Sequence, residues 1–271
     1  MSFDYEKSIW GRGEAGLVWS SPTSFRLRQS LSALKNLPDN CKILEVGCGG
    51  GQFIRAIKKI LPGAQCLGCD VSEAAIAEAK KNGDGVEYTI SEPARLPYGD
   101  VSLDAVMVFD VLEHVPDVGG LLAEIHRVLM KGGIFYCFVP CEKDLLSFWR
   151  MLSVLNIGTD LTKKYAGHIN YFSRRSIIDE LDKNGFQIIK KRYSEHVFGQ
   201  LIGIMAFFLI DRASKKQGGA QINNEQYFSQ RADYRGEIGK WLKNIINIII
   251  FLESTIFSAI PSPNIHIISK K

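Results

Sequence analysis

The sequence predicts a doubly wound α/β fold, a parallel sheet with helices on both faces. Three observations carry this reading. Strand-like apolar runs alternate with helix-like segments from residue 41 to about residue 140, the β-α-β-α rhythm of such a sheet. A glycine-rich turn, Gly47-Cys48-Gly49-Gly50-Gly51, joins the first strand to the first helix. The run Leu103–Phe109 is apolar but for Asp104, as a central parallel strand buried on both faces requires.

Lys42–Val46 reads as the first strand and Gln52–Ile60 as the helix that follows its turn. Gln65–Asp70 is the second strand. Ser72–Asn82 is a helix with Ser72 as N-cap, an adjacent glutamate and an alanine-rich body. Val86–Ile90 and Leu103–Phe109 are the third and fourth strands. Gly119–Met130 is a helix ended by Lys131-Gly132-Gly133, and Ile134–Val139 is a fifth strand stopped by Pro140. Residues 141–166 suggest an amphipathic helix and a loop. Arg174–Asn184 is a helix ending at Gly185, followed by a sixth strand, Phe186–Arg192. Val197–Ile210 carries no charge, Gly218–Glu237 is polar and loop-like, and Trp241–Ile260 is again apolar. Pro261-Ser262-Pro263 breaks the chain before a short strand at Ile265–Ser269. A length of 271 residues fits one elaborated domain. We expect a core over 41–140, a helical cap over 141–172, an apolar helical insertion over 197–262 and a closing strand at 265–269.

The net charge of +4, with no basic run longer than Lys190-Lys191-Arg192, argues against a nucleic-acid partner. Cys66 and Cys69 form a C-x-x-C pair without a second pair to complete a zinc site. On a strand the two thiols would point to opposite faces, so the six cysteines read as reduced core residues. The start of the chain is polar and mixed in charge, unlike a signal peptide, and a cytoplasmic location is expected.

The glycine turn is the strongest chemical signal. Glycines after a strand and before a helix let a ligand approach the backbone closely. Asp70, at the end of the second strand, is placed to accept hydrogen bonds from two ribose hydroxyls. Counting from Gly47, a dinucleotide fingerprint would need a third glycine where Gln52 stands. Glu45, two residues before the turn, suits a cationic amino-acid ligand better than a pyrophosphate. A glycine turn with no ligand, and a nicotinamide or flavin site, remain the alternatives.

Taken together, several segments resemble the class I S-adenosylmethionine-dependent methyltransferases, in particular the group containing ubiquinone- and menaquinone-pathway and small-molecule enzymes. They are Glu45–Gly51, Asp70-Val71-Ser72, Leu96-Pro97-Tyr98-Gly99-Asp100, Asp110-Val111-Leu112-Glu113-His114-Val115, Arg127–Gly133 and Asn184-Gly185-Phe186. The resemblance implies S-adenosyl-L-methionine as cofactor. Its methionine part would lie on the loop around Gly47, Cys48 and Gly49, its ribose on Asp70 and its adenine against Val71. The family's D-A-x-x-L-P stretch reads Glu92-Pro93-Ala94-Arg95-Leu96-Pro97 here. Glu92 would contact the adenine, but Pro93 has no N–H to donate, which costs about 0.5–1.5 kcal/mol of binding.

Asp110 ends the fourth strand beside the glycine loop and should face the methionine end or the acceptor. Glu113 and His114 follow one turn later. The resemblance connects a D-x-x-E-H set with a divalent metal in some relatives, and two carboxylates with an imidazole are plausible ligands. Contact with the acceptor and a purely structural role are the other readings of His114. His168, in Gly167-His168-Ile169-Asn170, precedes a helix with Ser173 as N-cap, and the family often has a histidine there. It is either a general base for a hydroxyl or a positioning residue. His126, His196 and His266 read as structural.

In Trp241–Ile260 the polar positions fill an arc of about 120° and the apolar ones about 200°. This segment and 197–210 are expected either to touch a membrane surface or wall a lipid site, or to form ordinary core or a dimer interface. The function expected is methyl transfer, to oxygen, on a small-molecule, isoprenoid or lipid-linked acceptor. The rivals are a non-catalytic module that binds the cofactor or a partner, and a nicotinamide-dependent oxidoreductase.

Overall fold

The computed structural model describes residues 4–6, 8–13, 15, 22–83, 85–158, 161–218, 227 and 236–271, the side chains of 236 and 238 excepted. The strands are Lys42–Val46 (β1), Gln65–Asp70 (β2), Glu87–Ile90 (β3), Leu103–Phe109 (β4), Leu129–Pro140 (β5), Gln187–Ser194 (β6) and Asn264–Lys270 (β7). The helices are Pro22–Leu34 (α1), Gln52–Ile60 (α2), Glu73–Lys80 (α3), Val118–Val128 (α4), Phe148–Val154 (α5), Leu161–Tyr165 (α6), Arg174–Lys183 (α7), Phe198–Lys216 (α8) and Gly236–Ile256 (α9).

The seven strands form one sheet in the order β3-β2-β1-β4-β5-β7-β6. β1 to β5 pair in parallel, while β7 runs antiparallel between β5 and β6. Alternation along each strand explains the two cores. Leu44, Val46, Val106, Val108, Phe135 and Cys137 meet α4 and α7 through Leu121, Ile125, Ile177 and Leu181. Ile43, Ala105, Met107 and Tyr136 point the other way, to Leu27 and Leu34 of α1 and Ile54 and Ile57 of α2. Cys69 lies in the first core and Cys66 in the second, and all six cysteines are buried and unbridged. The strand order reverses between β1 and β4, and ligands of such sheets bind at the carboxyl ends beside that point.

The structure departs from the expectation at three places. Residues 22–34 form a helix, α1, with Phe25, Leu27 and Leu34 buried. β5 starts at Leu129, which pairs with Leu103, and Gly132 turns within the strand at φ 77. A glycine tolerates that conformation without strain, so Lys131-Gly132-Gly133 bends the strand instead of preceding it. Residues 141–166 hold two short helices, α5 and α6, in place of one. The expected loop at 218–237 lies largely outside the described residues.

α8 and α9 meet end to start. Glu253, buried near the end of α9, accepts the N–H groups of Val197 (2.7 Å), Phe198 (2.8 Å) and Gly199 (3.1 Å) at the beginning of α8. These are donors a helix leaves without internal partners. Glu253→Ala should cost about 1–3 kcal/mol of stability, read from urea denaturation. A loss within a few tenths of a kcal/mol would show that water replaces the carboxylate freely.

Candidate active site

The turn after β1 is fixed by backbone alone. The N–H groups of Gly47 and Cys48 both bond the Cys69 carbonyl at the end of β2, at 2.8 and 3.0 Å. Gly47 and Gly49 take φ 68 and 52, the left-handed region that glycine enters at low cost. A Cβ on Gly47 would lie 2.4 Å from Val111, and one on Gly49 2.5 Å from the Trp10 carbonyl. The N-terminal residues thus lie over the turn, and Trp10 accepts from Gly50 N–H at 2.7 Å. Asp70 accepts from Gly49 N–H (2.8 Å) with one oxygen and from Ser72 N–H (2.9 Å) with the other. Glu45 is 2% exposed and accepts the Ile54 N–H at 2.7 Å. Burial raises its carboxyl to about 8, against the opposing pull of that hydrogen bond.

A cavity of about 1520 Å³ opens at these strand ends. Glu45, Gly47, Cys48, Gly49, Asp70, Val71, Glu92, Asp110, His114 and His168 all line it. Val71 stands 46% exposed toward it, and Pro93 lies beside Glu92 on its wall. Trp149, Met205, Phe207, Leu242 and Ile246 form an apolar side.

Across from the glycine turn lies a cluster of acids and imidazoles. His168 Nδ1 bonds the Glu142 carboxylate at 2.7 Å, and Thr162 donates to the other Glu142 oxygen at 3.1 Å. Burial would lower the His168 pKa, but the bond to Glu142, with the charges of Glu142, Glu113 and Asp110, raises it above its ordinary value. The His114 ring stands 5.0 Å from that of His168, edge to face. Its Nδ1 meets the Gly167 carbonyl at 3.2 Å. Burial first, then His168, depress its pKa to about 3, so His114 stays neutral. Glu113 is fully buried with neither carboxylate oxygen bonded, and burial raises its pKa to about 8. Its backbone carbonyl takes the N–H groups of Ile169 and Asn170, both at 2.9 Å, which ties the β4 loop to the segment carrying His168. Donor atoms of Glu113, His114 and His168 lie within 4.8 Å of one another, a set that could hold a divalent cation. Asp110, which the sequence grouped with Glu113 and His114, instead pairs with Arg26 of α1.

Three contributors escaped the sequence reading. Arg26 bonds Asp110 and reaches Glu195 at 3.4 Å while stacking 4.0 Å over Phe138. Glu142 follows β5 and could be recognised only once His168 is seen beside it. Tyr5 lines the cavity near His114. Of the other histidines, His266 is buried between Tyr136 Oη (2.8 Å) and Ser194 Oγ (2.9 Å).

Comparison with known proteins agrees with this architecture. Residues 44–137 match the methyltransferase domain family. A ubiquinone/menaquinone biosynthesis C-methyltransferase of Desulfotalea psychrophila is 32% identical over 125 residues, 45% of this chain and 51% of the relative. A ubiquinone biosynthesis O-methyltransferase of Pelagibacter ubique is 32% identical over 128 residues, 46% of this chain and 50% of the relative. The chain thus spans about half the length of these curated relatives. Among solved structures, a [4+2]-cyclase shares the fold with a TM-score of 0.58 at 17% identity, over 97% of this chain and 85% of its own. Residues 44–137 thus match a methyltransferase domain, similar to the class I S-adenosylmethionine-dependent enzymes, and S-adenosylmethionine is the cofactor of that class.

The raised Glu45 carboxyl has a consequence for stability. In the unfolded chain it ionises near 4.5, and in the folded chain it keeps its proton to about 8. Its contribution is full below about pH 4.5 and is lost as pH rises toward 8, because the unfolded state releases the proton first. Glu45→Gln should therefore remove up to about one proton's worth of slope from the unfolding free energy over that window, measured by urea titration at several pH values. An unchanged slope would mean that Glu45 is ionised in the fold.

Proposed function

We propose that the chain transfers a methyl group from S-adenosylmethionine to a hydroxyl oxygen of an apolar small molecule, an isoprenoid or lipid-linked acceptor. The observation that carries this reading is the single cavity that joins the glycine turn, the His168–Glu142 pair and the apolar walls of α8 and α9. The cofactor fits what the cavity offers: a buried carboxyl at Glu45 for a cationic ammonium, a turn at Gly47-Cys48-Gly49 open to close approach, and an Asp70 carboxylate at the far end for the ribose. Val71 and Glu92 would border the adenine, and Asp110 the methionine end. When bound, the cofactor supplies a methyl group activated on a sulfonium.

The residues on the acceptor side supply the rest. With Nδ1–H held by Glu142, the Nε2 of His168 is the atom free to take the hydroxyl proton. His114, neutral and anchored on Gly167, would border the acceptor without competing for that proton. The relatives named for ubiquinone biosynthesis include both a C- and an O-methyltransferase. A carboxylate-backed imidazole favours oxygen, whose proton must leave as the methyl group arrives. The cap over 141–172 and the insertion over 197–262 would enclose the acceptor. The segments 197–210 and 241–260 would bring this cytoplasmic chain to a membrane surface.

Two measurements test the reading. Asp70→Ala should weaken S-adenosylhomocysteine binding by about 1.5–3 kcal/mol, the range for hydrogen bonds to a charged group, while Gly49→Val should abolish it. Calorimetry that finds both affinities unchanged would overturn the cofactor site. His168→Gln should lower turnover by about 10²–10⁴ with little change in cofactor affinity. A base must be neutral to act, so the wild-type rate should rise with pH through a midpoint above the ordinary imidazole value of about 6.5, and Glu142→Gln should lower that midpoint. Turnover within about threefold of wild type would leave His168 a positioning residue.

A further inference from the structure

A helix of a soluble domain turns its apolar stripe toward the core, and α9 does the reverse. It packs through the side carrying Ile250, Phe251, Glu253 and Ser254, all buried, with Ser254 Oγ accepting the Glu195 N–H at 3.0 Å. The opposite side, Trp241, Ile248, Ile249, Leu252 and Ile256, is exposed at helical spacing. α8 repeats the pattern: Phe198, Leu201, Met205 and Phe208 stand open while Gly199, Ala206, Ile210 and Ser214 are buried. α5, which touches α8, has no buried residue, and Met151, Val154 and Leu155 are exposed. These adjacent helices hold about half of the exposed large apolar side chains among the described residues. Apolar surface on this scale marks a partner or a lipid.

Charge identifies the occupant. Glu253 joins the start of α8 to the end of α9, and both helices line the same cavity, α8 as far as Leu209 and α9 from Gly239. The last turns of α8 carry Arg212, Lys215 and Lys216, and the first turns of α9 carry Lys240 and Lys243. Lys164 of α6 reaches the end of α8 through Asp211 at 3.3 Å. Among the described residues of these turns, the acids Asp211 and Glu237 are each matched by a lysine. Apolar stripes that finish in a basic end beside a tryptophan suit the headgroup region of an anionic bilayer. No described helix is long and apolar enough to cross a membrane. Met205, Leu209 and Leu242 are at once exposed and part of the cavity wall, so the cavity reaches this same surface.

We propose that α5, α8 and α9 form a docking platform for the surface of an anionic lipid bilayer, and that an apolar acceptor enters the cavity from the lipid past Met205, Leu209 and Leu242. The platform deepens the functional reading and rests on it only for the acceptor's route.

The test is flotation of the full chain with phosphatidylcholine vesicles, with and without about one-third phosphatidylglycerol. Wild type should float with the anionic vesicles and far less with the neutral ones. Leu201→Asp/Ile249→Asp, both outside the cavity wall, should reduce partitioning at least about 100-fold. Arg212→Glu/Lys216→Glu should reduce it at least about 30-fold on anionic vesicles alone. S-adenosylhomocysteine affinity serves as the control for folding in each variant. No flotation of a folded wild type, or equal flotation of wild type and both variants, overturns the platform. So does a wild-type dimer that Leu201→Asp/Ile249→Asp converts to monomer without loss of lipid binding, since the face would then join two copies. If flotation fails while S-adenosylhomocysteine still binds, the platform falls and the methyltransferase reading stands. If binding fails while flotation succeeds, the reverse holds.

Discussion

The hydrogen bonds from Gly47 and Cys48 to the Cys69 carbonyl hold the rest of the site in register. They join the end of β1 to the end of β2, so the turn that faces the ligand and the acid that would bind its ribose move as one body. Asp70 adds a third tie through Gly49. The glycines are required because this geometry asks for left-handed backbone with neighbours already in place. Val111 fills the space beside Gly47, and the Trp10 carbonyl that beside Gly49. A side chain at Gly49 would thus first displace the N-terminal residues, which contribute Trp10 and Tyr5 to the cavity.

A second constraint is electrostatic. The site collects Glu45, Asp110, Glu113, Glu142 and Glu195 around few cations, and burying unpaired carboxylates is costly. The chain meets that cost in three ways. Arg26 neutralises Asp110 and Glu195 together, His168 takes Glu142, and Glu45 and Glu113 hold their protons. α1 is therefore more than a cover for the second core: without its guanidinium two acids at the cavity wall would stand unpaired. The same arrangement leaves His168, hydrogen-bonded to Glu142, more basic than a free imidazole, while burial and then the charge of neighbouring His168 leave His114 less basic.

The sheet was legible where local pattern and tertiary role coincide. β1, β2 and β4 read from their apolar runs with the observed bounds, because a central parallel strand is apolar on both faces and says so locally. β5 was shortened in the reading because Gly132 and Gly133 look like a terminator, and only pairing with Leu103 shows that the strand continues through them. Most of the sequence-derived site residues share one cavity because they stand at or just after the ends of strands, where position along the chain predicts position in space, while His168 reaches it from the segment between α6 and α7. Glu142 and Arg26 were illegible for the opposite reason. Their partners, His168 and Asp110, are distant in sequence, and nothing local marks a glutamate after a strand or an arginine within a helix as part of a site. α9 lies between these cases. Its amphipathicity was plain, but which side faces the protein depends on Glu253 and Ser254, polar residues whose partners lie at 194–199.

Fold alone does not decide the chemistry. A cyclase and this chain share an architecture over nearly their whole lengths, so the sheet and its glycine turn license a cofactor and leave the reaction to the groups set against it. Those groups come from the β4 loop and the cap, joined by the Glu113 carbonyl through Ile169 and Asn170. Asn170 also donates to the Leu112 and Val115 carbonyls, at 3.0 and 2.7 Å. His114 and His168 are therefore held by the same backbone network, and a shift of the cap would move both imidazoles together. The cap's other neighbour is α8, whose exposed stripe belongs to the surface through which the acceptor is proposed to enter. On the proposed reading, acceptor entry and imidazole position would be linked through α5 and α6, which pack on α8 and adjoin the segment carrying His168.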